Sequence, residues 1–143
     1  MRLMGIDYGR RRVGVALSDP SGRIASPHST LDGRRLGTLL EEIAGLVRAH
    51  EVAELVVGLP VNMDGSLGPQ ARDAERFAGI LRDRLGLPVE LQDERLTTAQ
   101  AGSALRQGGG DPRAVDRVAA SLILQAFLDR RRRPHPAGEG QGS

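Results

Sequence analysis

The side chains in this sequence that could do chemistry in concert are carboxylates: Asp7, the adjacent pair Asp93 and Glu94, and Asp116. Asp7 lies near the end of an apolar alternating run, directly before Gly9 and Arg10-Arg11-Arg12. Aspartate is depleted in strand interiors, and a buried carboxylate needs a charged or hydrogen-bonded partner. Its placement suits either a turn residue paired with Arg10 or Arg11, or a metal ligand. Asp93 and Glu94 close a later strand-like run, Val89-Glu-Leu-Gln-Asp-Glu94. Asp116 stands near the start of a helical pattern, on the face carrying Ala120, Ile123 and Phe127. Taken alone it would complement the positive end of that helix. Brought to one sheet edge, these acids would repel and raise one another's pKa unless a cation neutralised them. Hard oxygen donors without histidine or cysteine suit Mg²⁺ or Mn²⁺. Two such ions roughly 3.5–4 Å apart would activate water and stabilise the leaving oxygen in phosphodiester cleavage.

The elements that must position these acids follow from periodicity. Leu3 to Tyr8 and Val13 to Ser18 alternate as two strands around a glycine-containing, arginine-rich turn. Ser21-Gly22 signals another turn, and Arg23 to Pro27 a short third strand, so an antiparallel meander opens the chain. Leu36, Leu39, Leu40, Ile43, Leu46 and Val47 mark a helix over about 34–50. Leu55-Val-Val-Gly58 reads as a strand covered on both faces. A loop from Leu59 to Pro69 leads to a helix marked by Ala71, Ala74, Phe77, Ala78, Leu81 and Leu85. After the strand ending at Asp93 or Glu94, Thr97 and Gln100 form a capping-box signature for a helix that ends at Gly108. Asp111-Pro112 starts the last helix, to about Arg131. Right-handed crossovers make the last two strands parallel in one α/β sheet, with helices on both faces. Their C-terminal ends then lie near Asp7. Residues 1–133 are expected to form one domain, and 134–143 a disordered tail.

Composition removes several classes. The 143 residues contain no cysteine, hence neither disulfides nor thiolate metal sites. They contain no lysine either, which excludes a Schiff-base or P-loop lysine. The absence of a signal-peptide pattern or membrane-length apolar run leads us to expect a cytoplasmic protein with no membrane contact. The net charge of +2 is small, but the arginines cluster at 10–12, 34–35 and 130–133.

Asp7-Tyr-Gly9, Val13-Gly-Val-Ala-Leu-Ser-Asp19, Gly58-Leu-Pro-Val-Asn-Met-Asp-Gly65, Asp93-Glu-Arg-Leu-Thr-Thr98 and Val115-Asp116 with Ala119-Ala120 resemble the YqgF (RuvX) family. The match runs in order from about residue 3 to 130. The resemblance implies a ribonuclease H-like fold with a five-stranded mixed sheet, three strands antiparallel and two parallel. It implies relatedness to Holliday-junction resolvases and assignment to pre-16S ribosomal RNA cleavage. It also implies that Asp7, Glu94 and Asp116 form the catalytic metal site. Alternation alone does not choose Glu94 over Asp93, which shares a face with Val89 and Leu91; the family pattern does. Two departures stand out: Arg10-Arg11 where the family often has Thr-Lys, and Ala114 where lysine is common, with Arg113 beside it.

Phosphate contacts are expected from Arg10, Arg11, Arg12, Asn62, Arg95, Thr97 and Arg113. For Asp64, turn chemistry is the equal alternative, and Thr97 is a helix cap first. Tyr8, Phe77 and Phe127 are the only aromatics, so recognition should rest on backbone phosphates rather than stacked bases. The expected activity is metal-dependent hydrolysis of phosphodiester bonds, with Mg²⁺ or Mn²⁺ as a pair of ions. The expected substrate is precursor ribosomal RNA, with branched DNA as the alternative; the protein would act as a monomer or homodimer. Rival readings are a non-catalytic RNA- or ribosome-binding module and an actin- or hexokinase-like ATP site. The last needs two domains where this chain has room for one.

Overall fold

The computed structural model describes residues 1–97 and 111–132. Its sheet contains β1 (Arg2–Tyr8), β2 (Arg12–Ser18), β3 (Ala25–Asp32), β4 (Val52–Leu59) and β5 (Val89–Asp93), in the order β3-β2-β1-β4-β5. The pairs β1–β2 and β2–β3 are antiparallel, whereas β1–β4 and β4–β5 are parallel, as expected. The helices are α1 (Leu36–His50), α2 (Pro69–Leu85) and α3 (Pro112–Arg132). The helix expected between Thr97 and Gly108 and the expected tail from 134 lie outside the described residues. No described helix is long and apolar enough to cross a membrane.

Alternation along the strands makes two cores. Met4, Ile6, Val13, Val15, Leu55 and Val57 pack with α1 and α2 through Leu39, Ile43, Phe77 and Leu81. Tyr8 stacks on Phe77 with ring centroids 4.1 Å apart. On the opposite face Leu3, Ala16 and Val56 meet Ala120, Ile123, Leu124 and Leu128 of α3.

That second face is shallow because three of its positions are glycine. A Cβ at Gly5 would lie 2.6 Å from the Leu124 Cβ, and one at Gly14 would lie 2.0 Å from the Asp116 carbonyl oxygen. At Gly58 it would stand 2.6 Å from Ile123 Cδ1 and 2.7 Å from Glu94 Oε2. The sheet therefore receives α3 at backbone contact, and the acids approach with it.

Strand β3 runs further than the short strand expected from Arg23 to Pro27. It is an edge strand with mostly exposed or half-exposed residues, so alternation leaves little trace in its sequence. Pro27 sits opposite Ala16, next to a register irregularity, where an edge strand tolerates its missing donor.

The arginines closing α3 reach back to the sheet. Arg131 donates to both oxygens of Glu54 at 2.9 and 2.8 Å and lies 4.5 Å from the Phe127 ring centroid. Glu54 is buried on β4, and Arg130 donates to buried Gln92 on β5 at 3.2 Å. The run thus straps the far end of α3 to the sheet.

Candidate active site

Asp7 stands opposite Gly14 near the open end of β1. The 3₁₀ turn Glu94–Leu96 follows β5 immediately and breaks the strand's alternation. Glu94 is thereby carried over Gly58, while Asp93 accepts from the Arg95 backbone N–H at 2.9 Å and pairs with its guanidinium at 2.8 Å. Asp116 enters from the start of α3, where Arg12 Nε donates to its Oδ2 at 2.6 Å. Asp7, Glu94 and Asp116 line one cleft together with Arg10, Arg11, Arg12 and Asn62.

The electrostatics of this cleft are those of crowded acids. Burial, and then the Asp116 charge, push the Asp7 carboxyl up to about 6. Burial, followed by Asp7 and Asp93, pushes Glu94 up to about 7. Asp7 pairs with neither Arg10 nor Arg11 among the described residues. Arg10 instead reaches Asp73 of α2 at 3.1 Å, and Asp73 also pairs with Arg76.

Oxygen-only donors that repel one another fit a hard divalent cation in chemistry. Among the described residues, however, no three acids or histidines stand close enough to hold one ion as they are. Asp116 is drawn onto Arg12.

A pH dependence follows. Folded Asp7 and Glu94 bind a proton more tightly than their unfolded values of 3.8 and 4.5 allow, so metal-free stability should fall as pH rises through about 4 to 7. Each shift corresponds to roughly 3 kcal/mol, less than additive because the two acids interact. Asp19, Asp32, Asp64 and Asp93 are held below their usual range and act only at lower pH. His28, lowered by burial and by His50, acts in the opposite direction. Melting curves in EDTA at pH 5 and 8 should show wild type losing more stability than Asp7→Asn with Glu94→Gln. Equal losses would mean that the acids are not crowded.

The other expected contacts separate. Asn62 lines the cleft, its Nδ2 donating to Ser66 Oγ at 3.0 Å. Asp64 accepts from the Ser66 backbone and hydroxyl, which makes it the turn residue of that loop. Arg95 points away from the cleft acids, reaching the carbonyls of Asn62 and Met63 at 3.5 and 3.4 Å, and so props the loop. Thr97 lines a separate depression with Leu122 and Asp129. Arg113 lines a second groove with Arg11, Arg12 and Arg34. Sequence reasoning missed the roles of Gly14 and Gly58. The available signal was glycine at inward strand positions, which marks a close approach.

The model of the RuvX family, described as Holliday junction resolvase, matches residues 1–130. A protein of Moorella thermoacetica named "Putative pre-16S rRNA nuclease" is 49% identical over 134 residues, covering 91% of this chain and 96% of its own. A protein of the same name from Anaeromyxobacter is 48% identical, covering 92% and 98%. The structure of Thermus thermophilus RuvC with a Holliday junction substrate superposes with a TM-score of 0.58 at 15% identity, covering 92% of this chain and 96% of that one. At that identity the likeness is one of fold.

Proposed function

We propose, from the premise that this chain belongs to the RuvX (Holliday junction resolvase) family, that it is a metal-dependent nuclease acting on precursor 16S ribosomal RNA. The observation that carries the reading is the single cleft in which Asp7, Glu94 and Asp116 meet beside Arg10 to Arg12. Asp7, Glu94 and Asp116 would hold Mg²⁺ or Mn²⁺, which supplies water activation and charge stabilisation at the phosphoryl group. Hydrolysis forms a bond from a water oxygen to phosphorus and breaks one bridging P–O bond. The leaving oxygen takes a proton. Among the described residues, Arg11 makes no ion pair on the rim of the cleft, so its guanidinium is available to a flanking phosphate. Arg10 is shared with Asp73 and has less to give. The glycine- and proline-containing loop around Asn62 bounds the other side. Two aromatics, Tyr8 and Phe77, are stacked on each other, and Phe127 lies under Arg131. Binding then rests on phosphates and shape, with a strong salt dependence.

Junction DNA is the second reading, favoured by the family description and requiring two symmetric sites in a dimer. The deciding experiment incubates labelled precursor RNA, single-stranded RNA and four-way junction DNA with Mg²⁺, Mn²⁺ or EDTA. Metal-dependent cleavage of the precursor supports the first reading. Paired cuts confined to the junction would support the second, and metal-independent or absent cleavage would remove both. In the same system Arg11→Ala should flatten the slope of log affinity against log salt by about one unit. Arg10→Ala should change it less. Equal slopes for wild type and Arg11→Ala would move the substrate path away from this rim.

A further inference from the structure

Resting on that cation-binding reading of the cleft, we propose that Arg12 is a built-in counter-ion for Asp116, holding the carboxylate until a divalent cation displaces it. The protein therefore carries its own competitor for the metal.

The contact is specific in a way that suits displacement. Arg12 reaches Asp116 through Nε alone, at 2.6 Å, rather than through the two-pronged fork that makes arginine–carboxylate pairs strongest. The pair is part-exposed, with Arg12 at 40% and Asp116 at 20% side-chain exposure. Both backbones are fixed. Arg12 precedes fully buried Val13, and the carbonyl of Asp116 lies against Gly14. Any exchange must then be a rotation of side chains, not a movement of elements. Arg12 also has somewhere to go, because it lines the second groove beside Arg11, Arg34 and Arg113 as well as the acidic cleft.

The pair is not needed to dock α3. Thr30 bonds the Arg113 carbonyl, and Arg117 donates to Thr30 at 3.3 Å. Gln125 accepts from the Ala25 N–H at 2.8 Å, and Arg131 clamps Glu54 at the far end. A cation beside Asp116 has an electrostatic use instead: without one, Asp116 would face Asp7 unneutralised. This accounts for a cleft whose acids are gathered but do not yet form a three-ligand set.

The test is Mn²⁺ affinity by calorimetry, without nucleic acid, for wild type, Arg12→Gln, Arg12→Ala and Arg12→Lys. Removing the competitor should tighten Mn²⁺ binding about fivefold, the equivalent of roughly 1 kcal/mol for a part-exposed pair. Arg12→Lys keeps the charge and should stay near wild type. Melting in EDTA confirms that each variant is folded; Arg12→Gln should melt lower there and gain more on adding Mn²⁺. Equal or weaker Mn²⁺ affinity in folded Arg12→Gln and Arg12→Ala would overturn the proposal and make Arg12 a structural clamp. Asp7→Asn should lose the binding heat in either background, which locates the heat in this cleft. If wild type itself shows no Mn²⁺ heat, the cation-binding reading fails together with the inference.

Discussion

Asp7→Asn is expected to lower cleavage roughly 10³-fold, the scale of several kcal/mol of charge stabilisation lost with a metal ligand. The same substitution should leave the metal-free protein more stable at pH 8, by up to about 3 kcal/mol, because an amide carries no charge to bury. The two signs belong together. Burial and Asp116 hold the Asp7 carboxyl near 6, so at pH 8 its ionised form is the strained one. Asparagine has almost the same shape and retains a polar tip in a cleft that water reaches. Stability is read by melting in EDTA, and activity at saturating substrate with Mg²⁺ or Mn²⁺. A variant that loses activity and also melts well below wild type would mean that Asp7 holds the turn together. A variant that keeps activity would remove Asp7 from the chemistry.

Gly14→Ala should be more damaging to the fold than any change among the acids. Its new methyl would meet the Asp116 carbonyl oxygen at 2.0 Å, and that oxygen belongs to a backbone with no rotamer to change. Overpacking usually costs about 1–3 kcal/mol and more where nothing can yield. We expect about 3 kcal/mol or more in urea unfolding. Cleavage should be lost in whatever fraction stays folded, because α3 lifts and takes Asp116 with it. Gly79→Ala is the control. It lies inside α2 with nothing within 4 Å, and should raise stability by about 0.5–1 kcal/mol. An active Gly14→Ala protein of ordinary stability would show that α3 need not touch the sheet there.

The order of elements was legible because it is written in hydrophobic periods: alternation in β1 and β2, a three-to-four repeat in α1, α2 and α3, and an unbroken run in β4. Strand β3 was only partly legible, since Ser26-Pro27-His28-Ser29 carries no apolar face. Asp93 and Glu94 could not be separated by alternation because the phase changes between them, where the strand becomes a 3₁₀ turn. Only the family pattern pointed to Glu94, and the structure places that residue in the cleft. The roles of Arg10, Arg12 and Arg131 were hidden for another reason. Their partners, Asp73, Asp116 and Glu54, are remote in sequence, and long-range ion pairs leave no local periodicity. A deletion meant to remove only a basic tail must accordingly begin after Arg132, not at Arg130.

Helix α3 is 21 residues long, roughly 30 Å at 1.5 Å per residue, with an acid of the cleft near one end and the Arg131 strap at the other. Chain growth runs from Asp7 towards Arg131. A nascent chain that has already folded its five strands and shows Asp7 and Glu94 still lacks both Asp116 and the strap that seats it. The cleft is thereby incomplete until the ribosome has passed α3. An abandoned fragment, stopped anywhere before that helix, carries Asp7 and Glu94 of the cleft but not Asp116.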